Sequence, residues 1–391
     1  MKGKTYKIAG AIILFALSLL VLRFFRTSGD FRIFLEASEF YRDGKVMYNQ
    51  WLPAGDGGAC LYFYSPLFSL ILLPFTYVPS FIPNFLWLTL SVLFLLRIWK
   101  LLTRLVAFGK LSDGKKALLL FLTTLMTYRF IEYNFGMIQM TIFILWSMLE
   151  SDYLFEKNKN IQGGILLALA INIKILPIVI LPYLIYRSRW QAFTWTILFS
   201  ILCLFIPAFY SGWDWNLMIH KEWWSAINPL NADHTLETEI GMHGFTALVP
   251  AYYSGDANHV LMIVNILRLI FIGLTLYILR WPPFKPANNN SSRLRELSYI
   301  ILITPLIFPH QGKYAFLLML PAMFYVLFFL ISSTTRSRMW MFILISVILV
   351  FALTTLTTDG LIGRSLNQLT QQYKLITFGA MWLAVALNIE Y

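Results

Sequence analysis

The stretch Gly163-Gly-Ile-Leu-Leu-Ala-Leu-Ala-Ile-Asn-Ile-Lys174-Ile-Leu-Pro177-Ile-Val-Ile-Leu-Pro182-Tyr-Leu-Ile-Tyr186 is an apolar run with Asn172, Lys174 and Pro177 set into its middle. Taken as one helix, it leaves Arg187 and Arg189 outside the membrane and turns the long 212–259 segment inward, against the cytoplasmic preference of Lys and Arg. Taken as two short segments broken around Asn172-Ile-Lys174-Ile-Leu-Pro177, it returns Arg187, Arg189, Arg280, Lys285, Arg293, Arg295, Arg336 and Arg338 to the cytoplasm. The broken form is the one expected. Backbone freed at membrane depth is tolerated only where it is buried in protein or lines a cavity, so the break marks a place of interest.

Working outward, further apolar runs of spanning length lie at about 8–26, 83–103, 117–132, 137–154, 191–211, 260–280, 298–310, 313–334, 339–357 and 374–389. Lys2, Lys4 and Lys7 hold the N-terminus inside, which puts 27–82 outside. Were 65–80 a full span, Arg97, Lys100, Arg104, Lys110, Lys115 and Lys116 would fall outside, so this proline-marked segment is expected on or partly in the outer leaflet. The count is about twelve spans with both ends inside. One domain is expected over 1–391, with 27–82 and 212–259 as its large outer loops. The same sorting sends Asp30, Glu36, Asp56, Glu132, Glu222, Asp233, Glu237 and Asp359 to the outer side, together with all five histidines. The polar chemistry therefore faces the exterior.

Composition sets the class. With 58% hydrophobic and 13% charged residues the chain is too apolar for a soluble domain of its length, and an all-α polytopic membrane protein follows. Its net charge of +12 is read as topology and not as a nucleic-acid partner. Cys60 and Cys203 are not expected to share a compartment or form a disulfide. The first run ends in Arg23-Phe-Phe-Arg26, not in small residues, so it is expected to remain as an uncleaved span. No phosphate-cradling glycine motif stands on the cytoplasmic side, which argues against a soluble nucleotide donor. No metal-ligand motif is present either, although Asp233, His234 and His243 share one outer loop. No cofactor is expected.

Asp30 stands where the first span ends, in Arg26-Thr-Ser-Gly-Asp30-Phe-Arg-Ile-Phe-Leu-Glu-Ala-Ser38. Asp is a favoured helix N-cap, and Phe31, Phe34, Leu35 and Tyr41 form an apolar stripe just after it. The same position also sets a carboxylate at the membrane surface, where it can act on a substrate held by the membrane. Ionisable groups inside apolar runs are functional candidates by default. Lys174 beside its break suits a phosphate as a point charge. His310-Gln-Gly-Lys313 forms an outer turn, and Arg129, Asn134 and Gln139 mark another. Tyr62 and Tyr64 belong to an aromatic-rich outer loop, a composition shared by interfacial belts and sugar sites.

Asp30-Phe, Tyr48 and Tyr62-Phe-Tyr-Ser-Pro66-Leu resemble the first outer loop of the membrane-embedded GT-C glycosyltransferases, specifically glycosyltransferase family 87. Asn134-Phe-Gly136-Met-Ile-Gln139, the run from Gly163 to Pro177, Pro182-Tyr-Leu and Arg187-Ser-Arg-Trp190 are similar to the family's middle segment. Where the family pattern has Gly-Gln, this chain has Gly136-Met137, with Gln139 nearby. The resemblance implies a GT-C fold with juxtamembrane helices in the first outer loop, matching 31–42 and 65–80. It also implies a polyprenyl-phosphate-linked mannose donor, an outer-loop Asp as general base, here Asp30, and a late outer histidine in the site, here His310.

The expectation is thus an inverting glycosyltransferase in the cytoplasmic membrane, its active site facing the periplasm or exterior. Asp30 and His310 would be catalytic, Lys174, Arg129 and Lys313 would hold the donor phosphate, and Tyr62, Tyr64, Asn134 and Gln139 would contact substrate. Its partners would be a polyprenyl-phosphate sugar, a lipid or glycan acceptor and the bilayer. A glycolipid transporter or flippase, or a non-catalytic glycolipid-assembly subunit, is the alternative, since broken helices with buried charge also mark transporters. The topology is directly measurable. A membrane-impermeant thiol label should miss a cysteine placed at Asn158 and reach one at Asn231 in intact cells, and labelling of the reverse pattern would remove the broken-run assignment.

Overall fold

The computed structural model describes residues 4–27, 29–53, 58–228, 236–280, 283–285, 287 and 289–389. Asp56, Asp233 and His234 lie outside the described residues. Among the described residues the fold is almost wholly helical, with two pairs of two-residue antiparallel strands, Leu52–Pro53 with Ala59–Cys60 and Met242–His243 with Gln311–Gly312. Each apolar run read from the sequence falls mostly on helix, although 137–154 opens on a turn and 298–310 and 339–357 run past their helix ends. The clearest correspondence is at 162–186, where Asn160–Ile173 ends, Lys174 takes an extended conformation, and a 3-10 turn at Leu176–Val179 leads into Ile180–Tyr186. Among the described residues five helices are long and apolar enough to cross a membrane: Lys4–Phe24, Phe81–Arg104, Trp190–Ser211, Ala257–Leu279 and Lys313–Ser332. A bent pair, Arg338–Thr354 with Asp359–Gln372, makes six if counted as one span. The segments Pro66–Tyr77, Asn160–Ile173, Leu176–Tyr186 and Leu375–Asn388 are apolar but shorter. Among the described residues no disulfide joins the cysteines, Cys60 being exposed and Cys203 half-buried.

The chain divides into two compact units. One comprises Ala16–Leu101 and Asn134–Asn228. In it the Asn160–Ile173 helix packs on Thr141–Glu156 and on Trp190–Phe205. Two glycines permit this closeness: a methyl at Gly163 would stand 2.5 Å from the Phe155 ring, and one at Gly164 2.8 Å from Trp195 Cβ and 3.0 Å from its carbonyl carbon. Small residues let helix backbones approach in a medium where lipid supplies no hydrophobic drive. Arg97 forks onto Glu150 at 2.6 and 2.7 Å, and Arg189 meets Asp152 at 2.7 Å, so charges at one end of Thr141–Glu156 are paired. The segment that follows the first apolar helix folds as the amphipathic helix Phe31–Arg42 laid on Pro66–Leu72. Ser65 caps the latter, accepting from Phe68 N–H, and Pro66 occupies a first-turn position that needs no donor.

The other unit comprises Met1–Phe15, Leu102–Tyr133 and Pro229–Tyr391. Its centre is Asn290–Ile307, buried along nearly its whole length between Ala257–Leu279, Leu320–Ser332 and Leu375–Asn388. Arg338–Thr354 packs on Leu375–Asn388, with Gly379 facing Thr354.

The glycine contacts predict asymmetric tolerance. Gly164→Ala should lower the thermal unfolding midpoint in detergent, on the scale of about 1–3 kcal/mol for overpacking. Gly273→Ala, where the added methyl meets nothing within 4 Å, should not lower it. Equal midpoints for the two variants would contradict the packing described.

Candidate active site

The Asp113–Met137 helix ends in a Schellman turn. Ile138 N–H donates to the Phe135 carbonyl at 3.2 Å and Gln139 N–H to the Asn134 carbonyl at 2.9 Å, with Ile138 left-handed at φ 50°. That position usually takes glycine, and a β-branched residue there costs on the order of 1–3 kcal/mol. Ile138 is fully buried, and Asn134 is buried as well, so the turn is held by its surroundings. The turn aims Gln139 away from the helix axis. Trp87 fixes it further by donating Nε1–H to the Gln139 carbonyl at 3.1 Å.

Asp30 is docked against the same helix end. Its N–H donates to the Met137 carbonyl at 2.9 Å, satisfying an acceptor that the helix terminus leaves open. Gly29 makes the approach possible: it has φ +48°, and a Cβ would stand 2.8 Å from the Met137 carbonyl carbon and oxygen. Asp30 occupies the N-cap position of Phe31–Arg42 yet its side chain makes no capping bond. Its carboxylate instead accepts from Gln139 Nε2.

From Gln139 the polar chain continues. Tyr64 OH donates to Gln139 Oε1 at 3.2 Å, and Lys174 Nζ donates to Tyr64 OH at 3.5 Å while lying 5.2 Å from the Tyr64 ring centroid. Tyr64 is fixed by Phe34, 4.5 Å between centroids, and by Tyr48, whose OH donates to the Tyr64 carbonyl at 2.8 Å. The structure thus brings Asp30, Gln139, Tyr64 and Lys174 together in one unit. Tyr62 stands behind them, buried, its OH within 2.9 Å of Ser69 Oγ. Asn134 takes part through its backbone carbonyl in the Schellman turn. Burial raises the Asp30 carboxyl above its ordinary value of 3.8, and the Gln139 hydrogen bond and the Lys174 charge oppose the rise.

Arg129, Lys313 and His310 belong to the other unit. Arg129 Nη1 donates to the Thr354 carbonyl and to Thr357 Oγ1, each at 2.5 Å. Lys313 Nζ lies 5.1 Å from the Tyr133 ring centroid. His310, left-handed at φ 59°, meets Glu237 Oε1 through Nδ1 at 3.1 Å, and Thr246 donates to the second Glu237 oxygen at 2.9 Å. Lys374 Nζ donates to the carbonyls of Glu239, Ile240 and Met242. His243 is fully buried, its ring edge-on to Phe316 at 5.7 Å. Burial pushes its pKa well down, and the charges of Lys374, Lys313 and Arg129 add to the effect. Among the described residues no three His, Cys, Asp or Glu side chains gather as a metal site.

Gly29, Trp87 and Lys374 were not singled out from the sequence. Their parts depend on backbone approach and on partners far along the chain, which spacing does not reveal. The sequence model for the family described as "Glycosyltransferase family 87" matches residues 62–309. That span includes Tyr62, Tyr64, Arg129, Asn134, Gln139 and Lys174, while Asp30, His310 and Lys313 lie beyond its ends. No curated protein and no solved structure matches the chain.

The raised Asp30 carboxyl carries a stability consequence with a definite sign. A carboxyl that binds its proton more tightly folded than unfolded penalises the fold when ionised, so the cost is present above the folded pKa and absent below 3.8. Asp30→Asn should therefore melt no lower than the parent at pH 7, and the difference should shrink toward pH 4. A variant that melts lower at pH 7 would show that the carboxylate stabilises the fold.

Proposed function

The chain belongs to glycosyltransferase family 87, and from that premise we propose that it transfers a sugar, mannose in the favoured case, from a polyprenyl-phosphate donor to a lipid or glycan hydroxyl. The reaction would run on the outer face of the cytoplasmic membrane and invert the anomeric carbon. The observation that carries the reading is the Asp30 carboxylate, which sits in an N-cap position without capping and is tied through Gln139 and Tyr64 to a cation. A carboxylate held ready at a chain end, with its proton affinity raised by burial, is suited to general-base work.

In the proposed step the acceptor oxygen attacks the anomeric carbon while its proton passes to an Asp30 carboxylate oxygen. The bond from that carbon to the donor's phosphate oxygen breaks, and the polyprenyl phosphate leaves with the electron pair. Negative charge grows on the phosphate as the bond breaks, and a placed cation is worth most at that moment. Lys174 has the chemistry for it, a compact ammonium at a helix break. Gln139 and Tyr64 serve as positioning residues, orienting the carboxylate and the ammonium. A donor that carries its own lipid anchor suits a carboxylate placed just after the first span, next to the helix Phe31–Arg42.

The test is sugar transfer by purified protein supplied with membrane-lipid extract. Short-chain polyprenyl-phosphate sugars should support transfer that EDTA does not diminish, and UDP- or GDP-sugars should not. Asp30→Asn should reduce transfer by at least ~100-fold, the scale usual for acid–base residues. Transfer from a nucleotide sugar would overturn the donor assignment, and a fully active Asp30→Asn would overturn the role of the base.

A further inference from the structure

The segment after Arg338–Thr354 reads in sequence as a polar loop, Thr354-Thr-Leu-Thr-Thr-Asp-Gly-Leu-Ile-Gly-Arg-Ser-Leu-Asn-Gln-Leu-Thr-Gln-Gln-Tyr373, yet it folds as the helix Asp359–Gln372. It leaves the preceding apolar helix at a bend of 77°. The corner is fastened from within its own unit: Arg129 donates to the Thr354 carbonyl and to Thr357, Thr355 Oγ1 donates to the Met126 carbonyl at 2.7 Å, and Asn367 Nδ2 donates to the Thr357 carbonyl at 2.5 Å. A carbonyl freed at the end of one helix and a carbonyl inside the bend are both satisfied, so the angle is built in.

Beyond Gly363, which carries the kink at φ +78°, the helix has three sectors. Asn367 and Gln371, at i and i+4, are buried against protein, as is Lys374 just beyond the helix end. Ser365, Gln368 and Gln372 are exposed and polar. Leu366, Leu369 and Tyr373, at i, i+3 and i+7, are exposed and apolar, at 55%, 46% and 54%. The inward face is thus polar and one outward face is apolar, the reverse of a helix on a water-soluble protein. Exposed tyrosines adjoin it, with Tyr252 OH donating to the Tyr373 carbonyl at 3.0 Å.

We propose that the Asp359–Gln372 helix lies in the plane of the bilayer surface, with Leu366, Leu369 and Tyr373 seated at the headgroup and acyl boundary. The occupant of its apolar face is lipid. A helix nearly perpendicular to an apolar helix of spanning character runs along the surface, and continuing the crossing would carry Arg364, Gln368 and Gln372 into hydrocarbon. Exposed apolar and exposed polar sectors side by side are what an interfacial helix divides between acyl chains and water. Tyr373 and Tyr252 suit the interface, where aromatic rings with a polar tip concentrate. A second copy of the chain fits less well, since three side chains fall short of the roughly 800 Å² per partner of a specific interface. The inference holds whether or not the donor assignment does.

Site-directed spin labelling tests it on the full chain in phosphatidylcholine vesicles. Single cysteines at Ser365, Leu366, Gln368, Leu369 and Gln372 would be introduced in a Cys60→Ser, Cys203→Ser background, at positions already exposed so that folding is retained, and checked for a monodisperse profile. Labels at 366 and 369 should collide preferentially with oxygen and those at 365, 368 and 372 with a water-soluble nickel chelate, so the ratio inverts around the helix. Nickel access at all positions would place the helix in water. Oxygen access at all positions would make it a crossing segment, and immobile labels at 366 and 369 with dipolar broadening would replace lipid by a second copy. Each of these results overturns the proposal.

Discussion

The hydrogen bond from Asp30 N–H to the Met137 carbonyl is the constraint on which the candidate site depends. It joins the end of the first apolar helix to the end of another by main-chain atoms, so no side-chain rotamer can loosen it. The contact is close enough that only glycine fits beside it, and Gly29 supplies both the space and the positive φ. Once Asp30 is anchored there, Gln139 lies within reach because the Schellman turn follows directly on Met137. A side-chain pair separated by 109 positions in sequence thus rests on backbone geometry at both ends.

Two features of this region cost stability and are retained. Ile138 holds a left-handed conformation that β-branched residues avoid, and Asp30 keeps an ionisable group largely out of water. A glycine at 138 or a capping carboxylate at 30 would be the economical choices for folding alone. Their absence suggests that the turn and the carboxylate answer to something other than the fold, which is the sense in which strain points to function. Elsewhere the polar groups are employed conventionally: Arg97 with Glu150, Arg189 with Asp152, Lys374 on three carbonyls.

Much of this was legible in the residues. Apolar runs gave the helices because a membrane demands continuous apolar length, and the interruption at Asn172, Lys174 and Pro177 is a real break. The amphipathic stripe after Asp30 marked a helix start, and helix also begins at Pro66, within the 65–80 segment where the resemblance implied one. Other parts were not readable. The N-cap alternative for Asp30 failed because its side chain turns to Gln139, a partner that no local rule identifies. The partners of Arg129 Nη1, Thr354 and Thr357, lie more than two hundred residues on, where no local rule reaches. The helix at Asp359–Gln372 was hidden by its polar composition, since its inward face is the polar one. Tyr62 and Tyr64 look alike in sequence, yet the Tyr62 hydroxyl faces Ser69 and that of Tyr64 joins the chain to Asp30.

The four groups from Lys174 to Asp30 also have a direction. The ammonium can only donate, the phenol accepts from it and donates onward, the amide accepts at Oε1 and donates at Nε2, and the ionised carboxylate can only accept. Every proton in the sequence points from the cation toward the anion, so the row is a polarised filament with no freedom to reverse while both ends are charged. Protonating Asp30 removes the sink at one terminus and weakens each link in turn, back to the ammonium. The ionisation of the carboxylate thus reaches Lys174 along the intervening hydrogen bonds as well as through the field between the two charges.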